Sequence, residues 1–454
     1  MELNSANLLE HLADFACNLK FEDLPPLVVH EAKRRVYDSL GCLIMAVRHD
    51  EAVKLVRQGM YERSLRYANA LALGMPGAFS PEDAAYLNTH AIRALDWNDT
   101  YLSKESAHPS DNIGALLALP GTKVDGKSLI TALVLAYDIQ CRFCDAASLR
   151  KHGFDHTAYV QIASAFSVGK LLKLNQDQMK HAAALALLRV PLRQGRAGSK
   201  LSHAKALYAA DAASIGAKAA LLASLGATGP AEILEGEYGF MNQCLSKEKL
   251  DLEAFSSLGR SFRISNTHIK LYPVEYHAQA AVEAGLILRQ HVKIDEIERI
   301  SIRSYEAAKS IIGRGRAARR PETKESADHS LFYVLALAML EGKMTLDEFH
   351  PSWLRDARVW GLIDKMEEIE ELAAYTKAYY NRPIPEFPVY IIIRIKNGWA
   401  AWEVKLPKGH FANPITDDEL RNKFGEKLEN LEFVWGLEKM SAYDLYWQLR
   451  RFKT

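Results

Sequence analysis

The feature that most constrains this chain is a change of periodicity near residue 262. Before it, apolar residues recur at helical spacing almost without interruption. Pro26 stands where a first helical turn tolerates proline, and Val29, Ala32, Val36, Leu40 and Leu43 follow in steps of three and four. Segments 180–190 and 206–225 are rich in Ala and Leu, with small residues on several faces. Such helices pack closely on all sides, and Gly226 and Gly229-Pro230 supply stops. After residue 262, Ile300 and Ile302 alternate with Arg299, Ser301 and Arg303, the pattern of a half-buried strand. PVYIIIRIK and WAAWEVKL flank Asn397-Gly398, a two-residue hairpin signal. Helical spacing occurs at 275–291 and 326–341, and the chain returns to it from Thr416 onward. The spacing predicts a mainly α protein. A helical domain over 1–262 is followed by an α+β segment over 263–410, and a tail over 411–454 returns to helix.

Charge and cysteine usage narrow the function. With 57 basic and 56 acidic residues the formal net charge is +1, which excludes broad electrostatic binding of nucleic acid or an anionic membrane. The first fifteen residues lack a basic start and an apolar stretch, and the run LITALVLAY ends at Tyr137-Asp138, too short for a membrane span. A cytoplasmic protein is expected. The five cysteines are odd in number and scattered, as in reduced thiols. Cys141 and Cys144 form a CxxC, but no second close pair completes a metal site, so buried helical thiols are expected there. A competing redox reading requires a reactive Cys144.

Three stretches combine histidine with a helix start. In ALDWNDTYLSKESAHPSDNIGALLAL, Asp96, Asp99, Thr100 and His108 lie within thirteen positions, and Pro109-Ser110-Asp111 opens a helix. In IKLYPVEYHAQAAVEAGLIL, Pro273 suits a first turn, which places Glu275, His277 and Gln279 near its start. In KESADHSLFYVLALAML, Asp328, His329 and Ser330 precede an apolar helix. Helix N-termini with free N–H groups attract anions, so three such starts suit a ligand with several carboxylates. Arg189, Arg193, Arg196, Lys200 and Lys205 occupy a glycine-containing stretch, and guanidinium groups grip carboxylates two-pronged where lysine supplies a point charge. The basic run GRGRAARRP (313–321) reads as a mobile surface loop. HExxH and GxSxG are missing, and the basic run 313–321 contains no GxxxxGK[ST].

Five blocks, in order, make the chain resemble the MmgE/PrpD family. They are NTHAIRALDWNDT (88–100), HPSDNIGA (108–115), VPLRQGRAG (190–198), LYPVEYHAQAA (271–281) and ADHSLFY (327–333). The resemblance covers roughly residues 5–410. It implies an all-helical domain built from the N-terminal part and the tail, an inserted α+β lid domain, a homodimer, and no metal or other cofactor. Carried across, Asp96, Thr100 and His108 match the motif lining the family's site, and Lys205 matches the lysine after its Arg-Gly segment. Arg93 sits where other branches carry histidine, and His277 lies two positions before Gln279, where decarboxylase relatives place theirs. Both departures point to the dehydratase branch.

The activity so implied is loss of water from 2-methylcitrate or citrate, as in propionate catabolism. It needs a base for the proton beside a carboxylate and an acid for the departing hydroxyl. His108 and Asp96 are the acid–base candidates, and His277 is the alternate. Lys205, Arg193 and Arg196 bind carboxylates, helped by the helix N-termini. Arg93, Thr100, Ser110, Gln279 and His329 complete the expected substrate contacts. The competing readings are decarboxylation of cis-aconitate, epimerisation of a related diacid, and a catalytically degraded helical scaffold.

Overall fold

The computed structural model describes residues 4–61, 70–77, 79–119, 123–196, 201–245, 250–350, 352–380, 384–426 and 428–454. It is 59% helical with few strands, so the chain is mainly α. Two compact units are present. The first takes in 1–196, 203–267 and 420–454, and the second 197–202 and 268–419.

The first unit is a layered stack of helices: α1 (Pro26–His49), α2 (Pro81–Arg93), α3 (Gly126–Ala146), α4 (Thr157–Leu171), α5 (Gln176–Ala186) and α6 (Ala204–Ser224), with a small antiparallel ribbon of β1 (Tyr101–Leu102) and β2 (Ser106–Ala107). The sequence supplies the starts. Ser80, Asp125 and Asn175 each accept a hydrogen bond from a backbone N–H of the first turn, which satisfies donors that helical geometry leaves orphaned. Helix α6 packs against α2, α4 and α5. Its small side chains permit this: Ala209, Ala213, Ala217 and Ala220 are fully buried, and a Cβ on Gly216 would meet Ser164 and the Gln161 carbonyl at 2.5 and 2.7 Å. Among the described residues α6 alone is long and apolar enough to cross a membrane, and half of it is buried against its neighbours.

The tail is part of this unit. Lys423 is buried and donates to the Asp38 carboxylate of α1 and, at 2.8 Å, to the Trp97 carbonyl. Phe424 lies where a Cβ on Gly41 would fall and meets the Trp97 ring edge-on at 5.1 Å. The Leu437 carbonyl lies against Gly126 at the start of α3.

The second unit carries a four-stranded sheet in the order β4 (Glu370–Glu371), β3 (Ile297–Ser304), β5 (Val389–Ile395), β6 (Gly398–Val404). Pairing is antiparallel except for β3 with β4. Ile300 and Ile302 of β3 and Ile391 and Ile393 of β5 face a core shared with α7 (Gln279–Leu288) and α8 (Leu331–Glu341). The hairpin turn is Lys396-Asn397, one residue earlier than the Asn-Gly signal, because Gly398 already pairs with Ile395. The basic run is not a loose loop. Arg316–Arg319 is helical, Arg319 stacks on Phe332 and pairs with Glu368, and Arg320 stacks on Trp360 and pairs with Asp364.

At Gly126 any side chain would overlap the Leu437 carbonyl. Gly126→Ala is expected to destabilise the first unit by ~1–3 kcal/mol through overpacking, seen as a lower thermal midpoint. An unchanged midpoint would show that the tail does not pack there.

Candidate active site

Helix α2 ends at Arg93, and the chain turns sharply through Asp96, whose φ of +52° is left-handed. A non-glycine residue adopts that region only when its surroundings hold it there. They do. The Asp96 carboxylate pairs with Arg93 on one side and, at 3.3 Å, with Lys205 from the first turn of α6 on the other. Lys423 meanwhile grips the next carbonyl, that of Trp97. Asp96, Arg93 and Lys205 are all buried.

The β1–β2 ribbon then returns the chain to His108, with the Thr100 hydroxyl donating to the Ala107 carbonyl at 3.0 Å. His108 Nδ1 lies 2.8 Å from the Asp99 carbonyl and Nε2 lies 3.0 Å from an Arg93 Nη2. A carbonyl only accepts and a guanidinium only donates, so the partners assign the proton to Nδ1 and the lone pair to Nε2.

Two aspartates serve this region differently. Asp99 is structural: one oxygen accepts the Ser110 backbone N–H at 3.0 Å, the other the Tyr137 hydroxyl at 2.7 Å. Ser110 in turn accepts from the Asn98 amide at 2.8 Å. Asp111 is fully buried, which pushes its carboxyl up to about 7. Arg93 and Arg196 oppose the rise, and Asp99 and Asp96 reinforce it.

A second pairing lies beside the first. The backbone joins 153–155 to 191–193 through Asp155 N–H to the Pro191 carbonyl and Arg193 N–H to the Gly153 carbonyl, both at 2.9 Å. This brings the Asp155 carboxylate 3.3 Å from Arg193 and 3.8 Å from Arg196. Burial alone would raise Asp155, but Arg196, His156 and Arg193 outweigh it and hold the carboxyl down to about 2. His156 is held well below its ordinary value by burial first and Arg196 second, and its ring lies 5.8 Å from that of His108. Its Nδ1 and the Nη1 of Arg196 are buried with no hydrogen-bond partner among the described residues.

At four histidine-bearing starts one backbone N–H already has a side-chain acceptor: Asp99 for Ser110, Asp155 for Thr157, Glu275 for His277, Ser330 for Tyr333.

In the second unit, His277 and His329 belong to neighbouring stretches, since Glu275 N–H donates to the Asp328 carbonyl at 2.9 Å. His277 Nδ1 meets the Tyr305 hydroxyl at 2.5 Å, and His329 Nδ1 meets the Asp328 carboxylate. Gln279 uses its amide on the backbone of Tyr272 and Val274, which makes it a structural residue. Pro273 precedes the helical turn rather than opening it: Glu275 is the cap, and helix begins at Tyr276. Lys200 lies outside the described residues. Cys141 and Cys144 are fully buried and their thiols are pushed well above the ordinary range, chiefly by burial, which contradicts a reactive CxxC.

Sequence reasoning missed Asp155 and His156. The signal was present: FDHT (154–157) repeats the Asp-His-Ser/Thr helix start already noticed in ADHS (327–330).

Comparison with known families places the chain in a defined class: it belongs to the MmgE/PrpD family. The profile of the MmgE/PrpD N-terminal domain matches residues 10–253 and that of the C-terminal domain residues 272–432. Among individual proteins, the chain is similar to 2-methylcitrate dehydratase of Escherichia coli (strain K12), 28% identical over 395 residues, covering 82% of this chain and 80% of the relative. It is also similar to the mitochondrial 2-methylcitrate dehydratase of Yarrowia lipolytica (26% over 430 residues; 90% and 81% covered) and to alkylcitrate dehydratase phiI of a fungal species (28% over 433 residues; 89% and 84%).

Asp111 gives a pH test. Its folded carboxyl titrates near 7 against 3.8 unfolded, so the folded chain holds a proton that the unfolded chain releases in that window. This group therefore destabilises the fold as pH rises from about 4 to 7. Asp111→Asn is expected to gain stability relative to the original between pH 5 and pH 8, read by chemical denaturation. An identical pH dependence for both would place the proton elsewhere.

Proposed function

We propose that this protein is a hydro-lyase that removes water from a tricarboxylate of the 2-methylcitrate type to give the corresponding aconitate. The observation that supports the reading is the cluster of cations around His108. Asp96 is shared by Arg93 and Lys205, Asp155 by Arg193 and Arg196, and Asp111, 4.0 Å from Arg93, is pushed towards its neutral form. Arg196 still has a buried donor without an acceptor among the described residues. A cluster of cations of this kind attracts a polyanion. The names of the relatives, all dehydratases of citrate derivatives, fit the same chemistry.

In this proposal Arg93, Lys205, Arg193 and Arg196 take substrate carboxylates. Negative charge building on the carboxylate beside the leaving proton is thereby stabilised where it develops. A carboxylate drawn to Arg93 also competes for the guanidinium edge that now meets His108 Nε2, which makes that lone pair available as a base. Asp96, held between two cations, is the second acid–base candidate, with His277 as the alternate. Thr100 and Ser110 fix the loop that carries His108, and His329 is the remaining substrate contact in the proposal. We further propose a cytoplasmic homodimer that uses no metal, its mass to be read by light scattering.

Purified, chelator-treated protein should convert 2-methylcitrate, and more slowly citrate, with absorbance rising from the new double bond and NMR showing loss of water. Carbon dioxide release, or inversion without a double bond, would overturn the reading. His108→Ala should lower kcat by about 10²–10⁴-fold with an unchanged fold. His277→Asn should have the larger effect only if His277 is the essential group.

A further inference from the structure

A second basic site lies within the helical unit, built by residues that the catalytic reading does not use. A cavity of about 420 Å³ is lined by Lys20, Lys123, Lys127, Lys170 and Lys173, with only Glu22 and Asp125 opposing them. Its walls include Phe21, Val124, Leu171 and Leu174. That volume lies within the range of small-molecule sites. Five ammonium groups face two carboxylates in the lining, and Asp23 beside Lys170 adds a third, which leaves two positive charges in excess.

The two carboxylates do not cancel this field. Asp125 is committed to the start of α3, where it accepts the Ser128 N–H at 2.8 Å, so that helix N-terminus is already filled. Glu22 reaches Lys127 only at 3.7 Å, and both are exposed. Lys20, Lys123 and Lys173 have no carboxylate partner among the described residues, and Lys170 donates to the Cys17 carbonyl at 2.8 Å. Lys173 occupies the left-handed position after α4, with φ of +57°, where glycine is usual and lysine is strained. Three separate segments thus bring like charges together at some energetic cost, which a bound anion would offset.

The kind of cation bears on the kind of anion. The tricarboxylate proposal rests on three arginines and Lys205, and the planar arginine forks match planar carboxylates. This cavity has no arginine in its lining. Compact lysine ammonium groups act as point charges and suit tetrahedral phosphoryl groups. We propose that this cavity binds a small oligophosphate, a run of two or three phosphoryl groups, free or carried by a nucleoside. The proposal is independent of the dehydratase reading.

The test is isothermal titration of the full chain with inorganic tripolyphosphate, with ATP and with citrate, at about 50 mM and about 200 mM salt. Tripolyphosphate should bind with a Kd below about 1 mM at low salt and weaken at least about fivefold at high salt. The triple variant Lys20→Ala, Lys123→Ala, Lys173→Ala alters exposed side chains and should keep its thermal midpoint while losing at least about tenfold in affinity. ATP binding more tightly than tripolyphosphate would assign the apolar wall to a nucleoside. Equal affinity would assign the site to the phosphates alone. No saturable binding by either, unchanged affinity in the triple variant, or citrate lost from that variant as strongly as tripolyphosphate would overturn the proposal.

Discussion

The helical unit depends on buried aspartates that each hold two cations. An isolated carboxylate or ammonium in a protein interior carries a desolvation penalty of several kcal/mol, and one good partner only roughly offsets it. At Asp96 and Asp155 one carboxylate holds two cations in place. This arrangement explains why a non-glycine residue sits in left-handed backbone at Asp96: two ion pairs and the Lys423 bond to Trp97 fix that turn. It also explains why Asp155 stays ionised in the same surroundings that push Asp111 up to about 7.

Those charges are positioned from distant parts of the chain. Arg93 comes from the end of α2, Lys205 from the start of α6, Arg193 and Arg196 from the turn between α5 and α6, and Lys423 from the tail. The alanine-rich surface of α6 and the bare Gly216 let that helix approach α4 closely, and packing thereby sets where Lys205 falls. The placing of Lys205 is in this sense a product of small residues as much as of charged ones.

What the sequence disclosed follows from how local each signal is. Strand alternation at 299–303 and the helices near 279 and 331 were legible because periodicity is a short-range pattern. The Asn-Gly hairpin was legible too, but its turn came out one residue early because pairing of Gly398 with Ile395 decides register. Arg93, Asp96, His108 and Lys205 were named from motif and resemblance, yet only the fold shows that one carboxylate joins two of them. Asp155 and His156 escaped because FDHT carries no family block, although its Asp-His-Thr pattern matched one already noticed. The caps at the helix starts were legible only where they are local: Glu275 accepts the His277 N–H from two residues away, whereas Asp99 reaches the Ser110 N–H through the β1–β2 ribbon.

The most direct test of the cation arrangement is binding of tricarballylate, a tricarboxylate with no hydroxyl to lose, measured by calorimetry so that chemistry plays no part. One molecule per chain should bind, and Lys205→Ala or Arg196→Ala should each weaken it by about tenfold or more, while His108→Ala leaves it nearly unchanged. Undiminished affinity in both cation variants would contradict the account.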